Sequence, residues 1–283
     1  MKLLRYGPAG QEKPGLLDAN GRLRDLSGHI NDITPEVLAP QRLKQLANLD
    51  AAALPLVEGS PRLGVPFSGI GKIIGIGLNY QAHADEAKMQ TSAEPLIFAK
   101  ATTALSGPND PVMLPRGSVA TDHEVELAVV IGSTARYVDE ADAYDVIAGY
   151  AVVNDISERD YQMKRGGQFF KGKSADTFCP LGPWLVTKDE VPAPQNLRLW
   201  LELNGTMRQD GNTKNMIAKI PYLISHLSEL MTLMPGDVIA TGTPEGVGMG
   251  RTPPDYLKPG DVMRVGVEGL GEQRTEVVAY RPA

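Results

Sequence analysis

Short apolar runs bounded by glycine, proline, asparagine and aspartate recur along most of this chain, a strand-rich pattern. KIIGIGLNY, PLIFAK, HEVELAVVIG, IAGYAVVND, GPWLVT, LRLWLELN, DVIATG, DVMRVGVE and TEVVAY all read as strands. Leu127 to Ile131 are continuously apolar, as in a strand covered on both faces. Asn204-Gly205 supplies a hairpin turn. Helical spacing is clear in IPYLISHLSELMTL, with Ile220, Leu223, Ile224, Leu227, Leu230 and Met231 on one face. Many strands with few helices predict a mainly β protein with some α (α+β), built as a barrel or sandwich.

The first part of the chain reads differently. MKLLRY is a strand, and LLDANGRLRDL folds as two short strands around Asn20-Gly21. Thr34, Pro35 and Glu36 place a cap and a first-turn proline at a helix start, continued by QRLKQLANL. EGSPRLGVPFSGIGK is rich in glycine and proline and reads as a linker. The expected division is a small N-terminal α+β domain with its linker, residues 1–70, and a main domain, residues 71–283.

Composition narrows the class. A chain of 283 residues is long enough for one large core or a main domain with a smaller companion. A net charge of −6 argues against nonspecific nucleic-acid binding, which needs a basic face. No apolar run reaches membrane-spanning length, and the start carries no apolar signal region, so no membrane partner is expected. Cys179 is the sole cysteine, which excludes an internal disulfide, thiolate zinc sites and iron–sulfur clusters. A cytoplasmic location suits that count.

Three carboxylates carry the chemistry. On a strand Glu124 and Glu126 point to the same face, and Asp155 ends a second apolar run. Adjacent carboxylates entering a buried strand repel each other and lose hydration unless a cation compensates. Their hard oxygens favour Mg²⁺, Mn²⁺ or Ca²⁺. An isolated E-x-E is more commonly a solvated strand face, so Asp155 matters. Among the four histidines, His83 stands apart. It has Glu86 three residues on, which on a helix shares its face and would orient the ring as a general base. His226 lies beside the core face of its helix and reads as structural, His29 sits near a glycine, and His123 points away from the carboxylate pair.

Two motifs mislead. Gly167, Gly172, Lys173 and Ser174 have phosphate-loop spacing, but polar SERDYQMKRG precedes them, and Pro180 and Pro183 break the segment on the other side, where a helix should run. Phe169 and Phe170 crowd the cradle, so nucleotide binding is rejected. Gly75 and Gly77 begin a dinucleotide pattern, yet Tyr80 replaces the third glycine and no βαβ unit surrounds it.

Taken in order, these residues resemble the fumarylacetoacetate hydrolase family. The matching segments are G-L-N-Y-x-x-H-x-x-E (Gly77 to Glu86), F-x-K (Phe98 to Lys100), H-E-x-E-L (His123 to Leu127) and N-D-x-x-x-R-D-x-Q (Asn154 to Gln162). K-S-x-x-x-x-C-P (Lys173 to Pro180), Asn204-Gly205 and T-G-T-P-x-G-V-G (Thr241 to Gly248) complete them. The resemblance implies a β-sandwich roll, a homodimer, and Mg²⁺ or Mn²⁺ held by Glu124, Glu126 and Asp155. It implies a water-activating dyad of His83 and Glu86 on a mobile lid, and Lys173 as an enolate-stabilising cation. Tyr80, Lys100, Arg159, Gln162 and Thr243 would bind a small 2-oxo acid substrate.

The implied reaction is cleavage of the C3–C4 bond of a 2,4-diketo acid to pyruvate and a second carboxylic acid. The alternatives are oxaloacetate decarboxylation, hydration or isomerisation of a 2-oxo-enoic diacid, and a non-enzymatic metal-dependent sensor. Leu78 stands where shorter acylpyruvase-like members often carry arginine, and Ala101 where proline is usual. The N-terminal unit and GVGMGRTPPDYLKPGD are more similar to bacterial members acting on 2,4-diketo-3-deoxy sugar acids such as rhamnonate and fuconate derivatives.

Overall fold

The computed structural model describes residues 1–282. Its centre is the antiparallel pair Val125–Ile131 and Ile147–Asn154, in which every residue is buried. Continuous apolar sequence gives this result because both faces of the pair are covered. A nine-stranded sheet extends from it. Its order is Leu23–Asp25, Lys13–Leu17, Lys2–Tyr6, Leu185–Thr187, Ile147–Asn154, Val125–Ile131, Val238–Ala240, Ile73–Gly77 and Leu96–Lys100. The N-terminal strands are therefore built onto the main sheet, with Leu3 opposite Leu185.

A five-stranded sheet of Thr206–Asn212, Arg198–Leu203, Val262–Val267, Gly271–Val278 and Val112–Met113 forms the second layer. Arg198–Leu203 alternates, burying Leu199, Leu201 and Leu203. That period-two pattern marks a sheet with only one face on the core. Its hairpin turns at Asn204 and Gly205, both with positive φ (52° and 76°), as a two-residue turn of the primed type requires.

Two helices differ from expectation. Thr34–Glu36 does not start a continuous helix: the carbonyl of Thr34 accepts from Val37 and Leu38 in a turn, and the α-helix is Pro40–Ala47. Pro40 brings no N–H and restricts Ala39, which lies extended at ψ 141°, so the turn cannot run into the helix. The long helix is Ile220–Leu230, burying Ile220, Leu223, Ile224 and Leu227. Leu230, the last helical residue, is exposed, and Met231 is only partly buried because the chain turns extended there (φ −157°, ψ 150°) and helical periodicity stops applying. No helix among the described residues is long and apolar enough to cross a membrane.

Candidate active site

Antiparallel register assembles the carboxylates. Glu126 pairs with Val153, and Val125 with Asn154, so Glu124 and Asp155 meet just beyond the paired ends. The Asp155 amide donates to the Glu124 carbonyl at 2.9 Å, and the Glu124 amide donates to Asn154 Oδ1 at 3.0 Å. Glu124, Glu126 and Asp155 are buried, and one oxygen from each lies within 4.8 Å of the others. The loop after Val238–Ala240 closes the third side, with the Gly242 amide donating to Glu126 Oε2 at 2.8 Å. A side chain at Gly242 is excluded: its φ is +98°, and a Cβ would lie 2.6 Å from that of Asn79.

Three buried cations face these acids. Lys173, on the short helix Phe170–Lys173, donates to Glu124 Oε2 at 2.7 Å and to Asp155 Oδ2. Arg159 pairs with Glu124 Oε1 at 2.6 Å and with Asp122 Oδ2 at 2.9 Å. Lys100 holds Asp155 Oδ1 and donates to the Ile156 carbonyl at 3.1 Å. Four carboxylates, counting Asp122, thus face three cations, and one negative charge is in excess. Glu126 is the acid left over: no ion pair reaches it among the described residues, and its hydrogen bond is to Gly242.

The titrations follow this imbalance. Burial, then the Asp155 and Glu124 carboxylates, push Glu126 well above the usual carboxylate range. Burial works the same way on Glu124, but Lys173 and Arg159 outweigh it and hold that carboxyl below its usual range. Burial would lower the Lys173 ammonium, yet Asp155 and Glu124 raise it above an ordinary lysine. A divalent ion fits this set: the donors are hard carboxylate oxygens, and Glu126, the acid without a cation of its own, would be relieved by one.

His83 and Glu86 lie on the helix Gln81–Glu86, with His83 Nδ1 3.0 Å from Glu86 Oε1. Glu86 is itself fixed by the Gly246 amide at 2.9 Å. His83 shares a cavity wall with Glu124, Glu126, Arg159, Gln162, Lys173 and Thr243. Gln162 Oε1 accepts from Arg159 at 3.0 Å. The Thr243 hydroxyl donates to the Val125 carbonyl at 2.9 Å and accepts from Gln209 at 2.8 Å, so its proton is already committed. Lys100 and Tyr80 do not line this cavity. Lys100 sits behind Asp155, and the Tyr80 hydroxyl is buried without a hydrogen-bond partner.

Sequence reasoning missed Asp122. Its carboxylate accepts from the Gly248 and Met249 amides at 2.7 and 3.0 Å and from Arg159 Nε at 2.9 Å, tying the loop over the site to that guanidinium. No local signal in the sequence marks it, since its partners Gly248 and Met249 lie far along the chain. At the two departures, Leu78 lines the cavity at φ 54°, and the Ala101 amide donates to Ser174 Oγ at 3.0 Å, a bond proline could not make.

The cavity holds about 30 Å³, roughly the room of one water. A larger cavity of about 750 Å³ beside Arg22, Arg62 and Trp184 shares no wall with the carboxylates. Substrate therefore needs the catalytic cavity to open, and residues 80–94 are the cover on one side. Amide hydrogen exchange in residues 80–94 is expected to slow when a substrate analogue binds. Unchanged exchange would mean a fixed surface helix.

Acids gathered at strand ends beneath a histidine-bearing helix make a centre whose hard oxygens suit a divalent ion. The comparisons agree. The model of the family "Fumarylacetoacetate (FAA) hydrolase C-terminal" matches residues 72–278, and the chain belongs to this family of enzymes. A Burkholderia lata protein provisionally named a hydrolase is 60% identical over 274 residues, 96% of this chain and 97% of that one. The solved fumarylacetoacetate hydrolase of Exiguobacterium antarcticum is 35% identical with a TM-score of 0.89, covering 99% of this chain and 100% of that one. Maleylpyruvate hydrolase of Sphingobium sp. SYK-6, solved with manganese(II) and pyruvate, is 32% identical with a TM-score of 0.83 over 99% and 100%. A 5-carboxymethyl-2-hydroxymuconate delta-isomerase of Mycobacterium smegmatis is 33% identical with a TM-score of 0.76 over the whole of both chains. The fold is that of the fumarylacetoacetate hydrolases.

Proposed function

We propose that this site hydrolyses the C3–C4 bond of a 2,4-diketo acid, releasing pyruvate and a second carboxylic acid, with Mg²⁺ or Mn²⁺ at Glu124, Glu126 and Asp155. The observation that carries the reading is His83, held by Glu86 at 3.0 Å, in the same wall as Glu124, Glu126 and Lys173. A pure binding module or sensor has no use for an oriented base beside such acids. A bound divalent ion would supply Lewis acidity at the 2-keto oxygen.

The protein's own groups do the rest. Glu86 holds His83 by Nδ1, leaving Nε2 to take a proton from water as it attacks C4. Cleavage of C3–C4 leaves the electron pair delocalised over C3 and the C2 oxygen of an enolate. The Lys173 ammonium, kept charged by its carboxylates, stabilises that oxygen in a site from which bulk water is excluded. Arg159 and Gln162 bind the substrate carboxylate, and protonation at C3 yields pyruvate.

The deciding experiment is a pyruvate-release screen with Mg²⁺ or Mn²⁺ across acylpyruvates, oxaloacetate and 2,4-diketo-3-deoxy sugar acids, with identification of both products. Pyruvate with a second carboxylic acid supports the reading. An isomer or CO₂ alone supports the second reading, an isomerase or decarboxylase on the same centre, which the similarity to the M. smegmatis isomerase favours.

Metal dependence has its own test. Chelation is expected to abolish turnover, and Mn²⁺ to restore it and raise Tm. Glu126→Gln should lose the Mn²⁺-dependent rise in Tm. An unchanged rise would place the ion elsewhere.

A further inference from the structure

A second cavity, of about 300 Å³, abuts the catalytic one, and the two share Gly77, Leu78 and Met89 in their walls. Beyond that common wall it is bounded by residues 90–96 on one side and by Ile217, Ala218 and Tyr222 on the other. Its polar side chains are Gln90, Thr91, Ser92, Glu94 and Tyr222, with Asn79, whose amide is already bonded to the Ala218 and Thr241 carbonyls. No lysine, arginine or histidine lines it among the described residues. Two cations lie close in sequence. Lys88 is exposed and outside the wall, and the Lys219 ammonium donates to the Lys214 carbonyl. In the catalytic cavity, Arg159 and Lys173 are given to the reacting end of the substrate and to the carboxylates they pair with, which leaves neither for a distal charge.

A cavity of about 30 Å³ holds too little for a chain that continues past the reacting carbons. The adjoining space is where such a chain can go, past Leu78 and Met89. We propose that this second cavity receives the distal chain of the substrate and selects an uncharged one, so that the substrates are 2,4-diketo monoacids and diacids are discriminated against. A distal carboxylate there would face the exposed Glu94 carboxylate with no cation in the wall to compensate. A hydroxylated or short apolar chain meets amide, hydroxyl and aliphatic groups instead. The proposal deepens the diketo-acid reading and rests on it for the identity of the reacting end.

Its test separates the two ideas. Binding is measured first, by calorimetry with Mg²⁺, for three 2-oxo acids differing only at the far end: 2-oxopentanoate, 5-hydroxy-2-oxopentanoate and 2-oxoglutarate. The two acids with an uncharged far end should bind tighter than 2-oxoglutarate by about tenfold, the scale of about 1.4 kcal/mol of repulsion, since the diacid brings a second negative charge toward Glu94 with no cation in the wall. Leu78→Arg, which puts a guanidinium in the shared wall, should reverse or erase the difference. Equal or tighter binding of 2-oxoglutarate by the unsubstituted protein overturns the proposal, as does a preference that Leu78→Arg leaves untouched. Pyruvate release is then compared for acetylpyruvate and the matching 2,4-dioxo diacid. If neither is cleaved while the neutral acids still bind preferentially, the hydrolase reading fails and the selection of a neutral chain stands.

Discussion

His83→Ala is expected to lower kcat for diketo-acid hydrolysis by about 10²–10⁴-fold, the usual contribution of a positioned general base, while any decarboxylation of oxaloacetate survives. The two reactions make different demands on one site. Hydrolysis needs a proton taken from water, and His83 is the group oriented for that, 3.0 Å from a carboxylate that is itself tethered to Gly246. Decarboxylation needs only somewhere for the electron pair to go, which is the task of Lys173 and the triad rather than of the dyad. The measurement is a paired assay on one preparation, with pyruvate release from a diketo acid beside CO₂ release from oxaloacetate. Loss of both activities in equal measure sinks the separation of roles.

How much of this was legible without coordinates depends on the kind of signal. Glu124 and Glu126 could be paired because strand periodicity is local: one run of sequence suffices to place two side chains on one face. Asp155 needed more. Its contact with Glu124 is created by the register of two strands, which no single run encodes; its place at the end of a second apolar run is the part that sequence shows. Lys173 was half hidden inside a false phosphate-loop match. The helix Arg159–Lys164 occupies the place where that motif needs a strand, so rejecting the loop on its flanks left the lysine free for another role. Asp122 was invisible because its value lies in partners far along the chain, Gly248 and Met249. Lys100 shows the opposite limit, since order along the chain gave it to the substrate while geometry sets it behind Asp155. The helix misplaced at Thr34 failed on a readable signal, Pro40, whose restriction of the preceding residue outranked a favourable cap.

Lys173→Met should separate catalysis from metal binding. With substrate, kcat is expected to fall by about 10²–10³, the typical loss when one preorganised partner of a developing oxyanion is removed. Bound Mn²⁺ should persist, because all three carboxylates remain and the centre has lost a competing positive charge. Stability provides an independent readout. Lys173 is buried and bridges Glu124 and Asp155, so its removal leaves two buried carboxylates short of a partner, a change that typically costs about 3–5 kcal/mol. The metal-free variant should therefore melt well below the parent. A divalent ion would be held by the same two carboxylates, so the gap in Tm should narrow as Mn²⁺ is added. An unchanged kcat would remove Lys173 from the reaction, and a gap in Tm indifferent to Mn²⁺ would mean that the ammonium and the ion do not share these carboxylates.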